Sequence, residues 1–276
     1  MSSIALKNYS IIKYSNGNKH QTDDLIAIEE PLQIVLIHSG KDQEAPLTIT
    51  MRSPGNDYEL AIGLLYSEGI ISTIDDIEHI RYCNSSNEEN QKNKLKITLK
   101  PEVVVDLDHI KRNFLSNSSC GLCGKQLLSQ LCEILPTQTF TRKVPIDLIL
   151  KLPQILKSEQ LLFKHTGGIH ACALVTSNGS LLTVKEDIGR HNAFDKLIGY
   201  QLTKKESFQN TIAVLSGRIG YEMAQKAAKA GIPIIVAIGA PTSLAIDIAQ
   251  QAGICLIGFV KSTSLNIYTN PDYIET

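Results

Sequence analysis

The chain has 276 residues, enough for one large or two moderate domains, and its 43% hydrophobic and 20% charged content is that of an ordinary globular protein. A formal net charge of −1 gives no ground for nucleic-acid or polyanion binding, and no uncharged apolar run approaches a membrane span. Six cysteines at irregular spacing are too few for a disulfide scaffold, and no basic segment followed by a long apolar run opens the chain, so a cytoplasmic, reducing setting is expected.

In chain order, Tyr9 to Tyr14 is a short β-rich run closed by the hairpin signal Asn16-Gly17-Asn18. Leu25–Glu30 and Leu32–His38 follow as strands split by Pro31, and Leu47–Met51 completes what reads as a small antiparallel sheet. Ser53-Pro54-Gly55-Asn56-Asp57 supplies cap chemistry for a helix carrying Leu60, Ile62, Leu64 and Leu65 and closed by Gly69. A short helix with Asp75 and Asp76 in its first turn precedes a strand, Ile77–Cys83. The polar run Asn84–Lys94 reads as a long hairpin loop leading into Leu95–Leu99. A helix is expected over Asp106–Leu115 and another over Asp147–Leu156 or beyond, across Pro153.

The second half changes character. Ile169–Val175, an Asn178-Gly179 turn and Leu181–Val184 form a clear hairpin. A helix from near Gly189 to Gly199 precedes three apolar runs, Thr211–Leu215, Pro233–Ile238 and Cys255–Val260. Helices Tyr221–Lys229 and Ser243–Gln251, ended by Gly231 and Gly253, join these runs. Continuous apolar strands alternating with helices indicate a parallel sheet covered on both faces.

The stretch with the most distinctive chemistry is Ser118-Ser119-Cys120-Gly121-Leu122-Cys123-Gly124, two thiols in a run of small residues with a helix expected from near Lys125. Such a pair can form a disulfide, share a soft metal or carry sulfur. A thiolate near a helix N-terminus has a depressed pKa and is nucleophilic at neutral pH. Cys132 lies downstream without the further ligands a zinc knuckle needs, while Cys83, Cys172 and Cys255 read as buried small hydrophobes.

Polar stretches cluster at the strand ends: His165–His170, Glu186–Asn192 with Asp195 and Lys196, and Ser216–Gly220. Ligands of open parallel sheets bind at the carboxyl ends of strands, and free amides at helix starts bind phosphate. Ser216–Gly220 and Gly239–Ser243 have that placement, which points to a phosphate-bearing ligand, although Gly217 and Gly220 do not make a dinucleotide fingerprint and such turns also need glycine for geometry alone. Glu186, Asp187, Arg190 and His191 read as an internal network, with Asp187 capping the helix and Arg190 paired with an acid. His165 and His170 lack partners at metal-ligand spacing.

Taken together, Glu59–Gly69, the Cys120–Cys123 pair, Thr166–His170, Glu186–Lys196, Ser216–Arg218 and Ala240–Ala245 resemble the FdhD family of formate dehydrogenase accessory sulfurtransferases, over most of the chain. The resemblance implies an α/β (α+β overall) fold. Residues 1–112 would form a β-rich N-terminal subdomain, 113–139 a mobile dithiol loop with its following helix, and 140–276 a cytidine-deaminase-like three-layer α/β/α domain. The deaminase zinc signature is absent, since His170 has Cys172 rather than Glu two residues on, and no metal ligands are assigned.

The implied activity is transfer of persulfide sulfur from a cysteine desulfurase to a molybdenum or tungsten bis(guanine dinucleotide) cofactor destined for formate dehydrogenase apoprotein. Cys120 would carry the persulfide and Cys123 would relay sulfur or resolve the persulfide as a disulfide. The cofactor-contacting segment corresponds to Phe259, Val260, Lys261, Ser262, Thr263 and Ser264, which departs from its relatives in having Ser262-Thr263-Ser264 after the lysine. A guanine nucleotide would serve as surrogate ligand, and family precedent implies a homodimer. Two other readings are a non-enzymatic cofactor escort, whose cysteines only ligate or protect the metal, and a dithiol oxidoreductase cycling a Cys120–Cys123 disulfide.

Overall fold

The computed structural model describes residues 5–38, 44–83, 92–104, 136–138, 140 and 142–275. The chain opens with a long hairpin, β1 (Leu6–Ser15) and β2 (Asn18–Ala27), paired from Leu6↔Ala27 to Ser15↔Asn18. Asn16 and Gly17 hold φ of 51° and 81°, the two positive angles that a primed two-residue turn requires.

β3 (Glu30–His38), β4 (Glu44–Arg52), β5 (Ile77–Tyr82) and β6 (Lys94–Leu99) form a four-stranded sheet in the order β4-β3-β6-β5. Two expectations change here. The sheet is mixed rather than antiparallel, because β6 pairs parallel to β3 from Gln33↔Lys94 to His38↔Leu99. This register puts Leu32, Ile34 and Leu36 in one core cluster with Leu95, Ile97 and Leu99, against Leu60, Ala61 and Leu65 of α1 (Asp57–Ser67). Pro31 does not split two strands. It is the second residue of β3, opposite Met51 and before the β6 ladder begins at Gln33, where the missing N–H costs that ladder nothing.

The helix start also differs from expectation. Asn56 is left-handed (φ 56°) and caps nothing with its side chain. The Asp57 carboxylate instead accepts from the buried Arg52, whose Nη2 is 2.9 Å away, and from the Tyr82 hydroxyl at 3.0 Å. The short helix at Asp75–Asp76 is a single 3₁₀ turn, Ile74–Asp76, with a Thr73/Asp76 capping box.

The second half holds β7 (Val144–Pro145), α2 (Ile146–Glu159), α3 (Leu161–Thr166), β8 (His170–Thr176), β9 (Leu181–Asp187), α4 (Arg190–Lys204), β10 (Thr211–Leu215), α5 (Tyr221–Ala230), β11 (Ile234–Ala237), α6 (Ser243–Gln251), β12 (Cys255–Gly258), β13 (Asn266–Ile267) and β14 (Ile274–Glu275). Its main sheet runs β13-β12-β11-β10-β8-β9. Only β10, β11 and β12 are mutually parallel; the β8–β9 hairpin and the short return β13 run antiparallel. The expectation of a parallel sheet therefore holds for the three strands joined by helices. The Asn178-Gly179 turn and the short link before β13 are too brief for a parallel crossover.

Alternate residues of these strands fill two cores. Cys172, Leu174, Ala213, Leu215, Ile235 and Ala237 meet the helices α4, α5 and α6. Ala171, Ala173, Val175, Ile212, Val214 and Val236 meet α2 on the opposite face, so the sheet lies between helical layers.

The two sheets are joined through α1 and α4, which cross in van der Waals contact at two glycines. A Cβ on Gly63 would lie 1.9 Å from the Asp195 carbonyl oxygen, and one on Gly199 would lie 1.9 Å from that of Glu59. Both positions therefore require glycine for close approach. Among the described residues no helix is long and apolar enough to cross a membrane.

Candidate functional site

A cleft of about 670 Å³ opens at the carboxyl ends of β10, β11 and β12, on the α2 side of the sheet. One wall is a single helical face, Leu150, Pro153, Gln154 and Lys157, at the i, i+3, i+4, i+7 spacing that aligns side chains along α2. The sheet side contributes Ser216 after β10, Ile238 after β11 and Ser262 after β12. This is the location and size of a small-ligand site in an α/β fold.

The segment 259–264 borders this cleft. Phe259 follows the last residue of β12 with φ 53°, an uncommon state for an aromatic residue, with its side chain turned outward. Two strand-like hydrogen bonds hold it there: Phe259 N–H to the Gly239 carbonyl and Val260 N–H to that of Ala237, both 3.1 Å. Val260 is buried in the α2-side core. Lys261 N–H donates to the Ser264 carbonyl at 2.8 Å, which closes a tight loop, and Lys261 to Ser264 are all exposed. Of the six segment residues expected to contact a cofactor, Ser262 is in the cleft wall, Val260 anchors the segment, and Phe259, Lys261, Thr263 and Ser264 are exposed without lining the cleft.

The polar residues at the other strand ends are largely committed to the fold. Asp187 is fully buried. Its Oδ1 accepts from Gly189 N–H (2.9 Å) and Asn192 Nδ2 (3.0 Å), and its Oδ2 from Ser53 N–H (3.2 Å) and Lys196 Nζ (2.6 Å). Lys196 Nζ also donates to the Ser53 carbonyl at 2.9 Å, so the pair ties the start of α4 to the end of β4. Glu186 caps α3, accepting from Leu162 N–H (2.8 Å) and Phe163 N–H (2.9 Å). Asp187 does not cap α4 as expected: it accepts from the N–H of Gly189, which precedes the helix, and from the Asn192 side chain, and no side chain of the described residues caps the first turn. Arg190 does not pair with an acid among the described residues, and its buried Nε has no hydrogen-bond partner there. His191 Nε2 lies 2.6 Å from Glu222 Oε2, and the imidazole holds that carboxyl below its usual range.

His170 opens β8 and lines the cleft, its ring against Gly217. Burial pushes its imidazole toward the neutral form, and the nearby cationic groups Arg190 and His191 act in the same direction. Ser216 extends the pairing to β8: Ala171 N–H donates to its Oγ at 2.9 Å and its N–H to the Ala171 carbonyl at 3.0 Å. The two loops expected to bind phosphate bond to each other, Ile219 N–H to Ala240 O and Thr242 N–H to Ile219 O at 3.0 Å each, and Thr242 Oγ1 caps α6 through Ala245 N–H at 3.3 Å. Of these two loops only Ser216 lines the cleft; Ile238 beside it precedes the second loop, and Gly239–Ser243 contributes no lining residue.

Cys120 and Cys123, with Cys132, lie outside the described residues, as does the helix expected over 106–115. Cys172 and Cys255 are buried, and burial raises both thiol pKa values, that of Cys255 to about 12, so they are inert packing groups as expected. Cys83 departs from that expectation: at the end of β5 it is only half-buried. His165 sits on α3, exposed, away from the start of β8. Among the described residues no three His, Cys, Asp or Glu side chains converge as a metal site.

Sequence reasoning passed over Gln160 and Phe163, which line the cleft. The signal for Gln160 was present: Ile149, Leu152 and Leu156 form the buried stripe of α2, and residue 160 is its next position. A glutamine there breaks an apolar pattern.

Comparison with known proteins fixes the family. Residues 27–275 match the model of the FdhD/NarQ family, and the chain belongs to that family. It is 42% identical over 273 residues to the sulfur carrier protein FdhD of Sulfolobus acidocaldarius, covering 99% of this chain and 100% of that one. It is 44% identical to that of Sulfurisphaera tokodaii, covering 98% and 100%, and 40% identical to that of Streptomyces avermitilis, covering 94% and 92%. A crystal structure described as that of a formate dehydrogenase accessory protein from Desulfotalea psychrophila shares the fold. Its TM-score is 0.73 at 23% identity, over 98% of this chain and 100% of that one.

Proposed function

We propose that this member of the FdhD/NarQ family is a sulfur carrier acting by a persulfide. Cys120 thiolate attacks the terminal sulfur of a cysteine desulfurase persulfide, the donor S–S bond breaks, and the donor cysteine leaves as thiolate. Cys120 then holds the sulfane sulfur. Cys123 either takes it in the same way or attacks the inner sulfur of the Cys120 persulfide. The second route makes a Cys120–Cys123 disulfide and releases hydrosulfide, so the two electrons that reduce the sulfur come from the two thiols.

The acceptor in this reading is a molybdenum or tungsten bis(guanine dinucleotide) cofactor, bound as substrate and bound for formate dehydrogenase apoprotein. The observation that carries the nucleotide part is the cleft itself. It lies at the carboxyl ends of the parallel strands, Ser262 is in its wall, and the exposed hydroxyls of Thr263 and Ser264 belong to the same loop, with Lys261. A strained Phe259 at the start of that loop fits a functional segment, since such geometry is retained where the surrounding structure enforces it. The homodimer in this reading is supported by the β1–β2 ribbon, which exposes Tyr9, Ile12, Tyr14 and Ile26, because a two-stranded ribbon alone is marginal in water.

The test is intact-protein mass spectrometry after incubation with a cysteine desulfurase and cysteine, with fragment mapping and a Cys120→Ala control. One reducible sulfur atom mapped to Cys120 is expected, with guanine-nucleotide binding retained in the variant. No sulfur on either thiol, under conditions that load a known acceptor, refutes the carrier role.

A further inference from the structure

Gln160 is the polar side chain in the cleft that the fold does not explain. It joins α2 to α3 and is only 4% exposed, yet its carboxamide has no hydrogen-bond partner among the described residues. Its backbone is satisfied, the carbonyl accepting from Lys164 N–H at 3.2 Å, and the α3 amides beside it are taken by Glu186. The sealed, unpaired side-chain atoms of the described residues are Arg190 Nε, His191 Nε2 and Gln201 Oε1, so the Gln160 amide, which makes no hydrogen bond to the described residues, keeps its open side toward the cleft and is available to a ligand there. A leucine would continue the stripe of Ile149, Leu152 and Leu156, whereas the glutamine puts hydrogen-bonding groups into the cleft wall. Gln160 faces the same cleft as Phe163, a half-buried aromatic, and Ser262.

We propose that Gln160 determines what ring the cleft accepts. Its Oε1 takes a ring N–H and its Nε2 donates to the adjacent ring carbonyl, pairing with a lactam edge, while Phe163 offers an apolar face to the ring. A carboxamide carries one acceptor and two donors in a plane, which suits a flat heterocycle presenting N–H beside C=O. Ser216, Lys157 and the 261–264 loop lie elsewhere around the cleft for the ligand's hydroxyls and phosphates. The inference rests on the reading of this cleft as the nucleotide site. Guanine and pterin share the lactam edge, and the assay separates them.

The experiment is calorimetric titration of the full chain, wild type and Gln160→Leu, with GDP, N1-methyl-GDP and 6-hydroxymethylpterin, beside ligand-free thermal melts. Wild type is expected to bind GDP and to lose on the order of tenfold affinity when N1 is methylated, the scale of one buried hydrogen-bonding pair left unmade. Gln160→Leu is expected to lose the same factor for GDP and to be indifferent to methylation. Without ligand it should melt at or above wild type, since the Gln160 side chain gives up no hydrogen bond to the described residues. Loss confined to the pterin assigns the edge to that ring instead. Wild-type GDP and pterin binding that survive Gln160→Leu unchanged overturn the inference alone. Wild type binding neither ligand, while Cys120 still accepts sulfur, overturns the cleft reading and this inference with it. A lowered ligand-free melting temperature in both Gln160→Leu and Gln160→Met marks Gln160 as a structural residue and also overturns it.

Discussion

Replacing Lys196 with methionine keeps the stem of a 1%-exposed side chain and removes its charge from the junction between the two sheets. In wild type, Nζ is 2.6 Å from Asp187 Oδ2, 2.9 Å from the Ser53 carbonyl and 3.3 Å from that of Glu186. At that 2.6 Å separation the pair attracts by about 6 kcal/mol at an effective dielectric near 20. Most of that offsets the desolvation of two ions, so the intact pair contributes little beyond a hydrophobic substitute. Breaking it is different. Asp187 keeps its three N–H donors but becomes an uncompensated buried anion, and the Ser53 carbonyl loses a donor. The expected cost is about 3–5 kcal/mol, a large share of the ~5–15 kcal/mol that holds an ordinary domain folded. Asp187→Asn should cost a similar amount by stranding the ammonium. The double variant should be no worse than either single one, because each change removes the reason for the other's penalty. Urea unfolding at pH 7, with m-values compared to confirm the same transition, measures all four proteins. Single costs below about 1 kcal/mol, or penalties that add within about 0.5 kcal/mol, would refute the claim that this pair is a coupled buried junction.

Gly199→Ala should destabilise by about 2 kcal/mol. Overpacking costs roughly 1–3 kcal/mol or more, and the helix-propensity gain of up to ~1 kcal/mol offsets part of it, because the new Cβ meets the Glu59 backbone at 1.9 Å. Gly220→Ala, with nothing within 4 Å, is the control and should stay within about 0.5 kcal/mol; equal melts for the two variants would count against close helix contact. Glu68→Gln should raise the melting temperature by a few degrees at most at pH 8 and give no gain at pH 4. Burial raises the Glu68 carboxyl above its ordinary 4.5, Asp195 and Glu222 add to this, and Lys226 and Lys229 oppose it. A raised folded-state pKa means the folded protein binds the proton more tightly. That contribution is fully present below the ordinary value and is lost as pH rises through the folded value. A gain at pH 4 equal to that at pH 8 would contradict the argument.

The parts of the fold legible in the sequence are those set by local chemistry. Asn16-Gly17 and Asn178-Gly179 mark hairpins because positive φ is cheap there, and the runs from Thr211, Ile234 and Cys255 mark strands buried on both faces. The parallel pairing of β3 with β6 was hidden, since it joins segments sixty residues apart, Gln33 and Lys94, and no local pattern encodes a partner. The left-handed Phe259 was hidden too: that residue type does not seek the conformation, and the hydrogen bonds from 259 and 260 to β11 and its following loop impose it. Asp57 looked like cap chemistry because it opens a helix, yet tertiary pairing with Arg52 won. Of the strand-end motifs, Glu186–Asn192 and Ser216–Gly220 lie where their strands end while His165 sits on α3, and their division between fold and cleft depends on which donors the fold has already used.

That division is what makes the cleft informative. Along the same edge, Glu186 is occupied by two α3 amides, Asp187 by four donors, Ser216 by β8 and Thr242 by α6. Groups that satisfy one another need no ligand, and their presence in a family pattern is explained by folding alone. Gln160 is different because its side chain bonds no group of the described residues, and the exposed Ser262–Ser264 loop differs because its shape is held by backbone rather than by its own side chains. Both border one cavity large enough for a nucleotide. In the function proposed above, these two sets are the groups available to meet a ligand in this cleft.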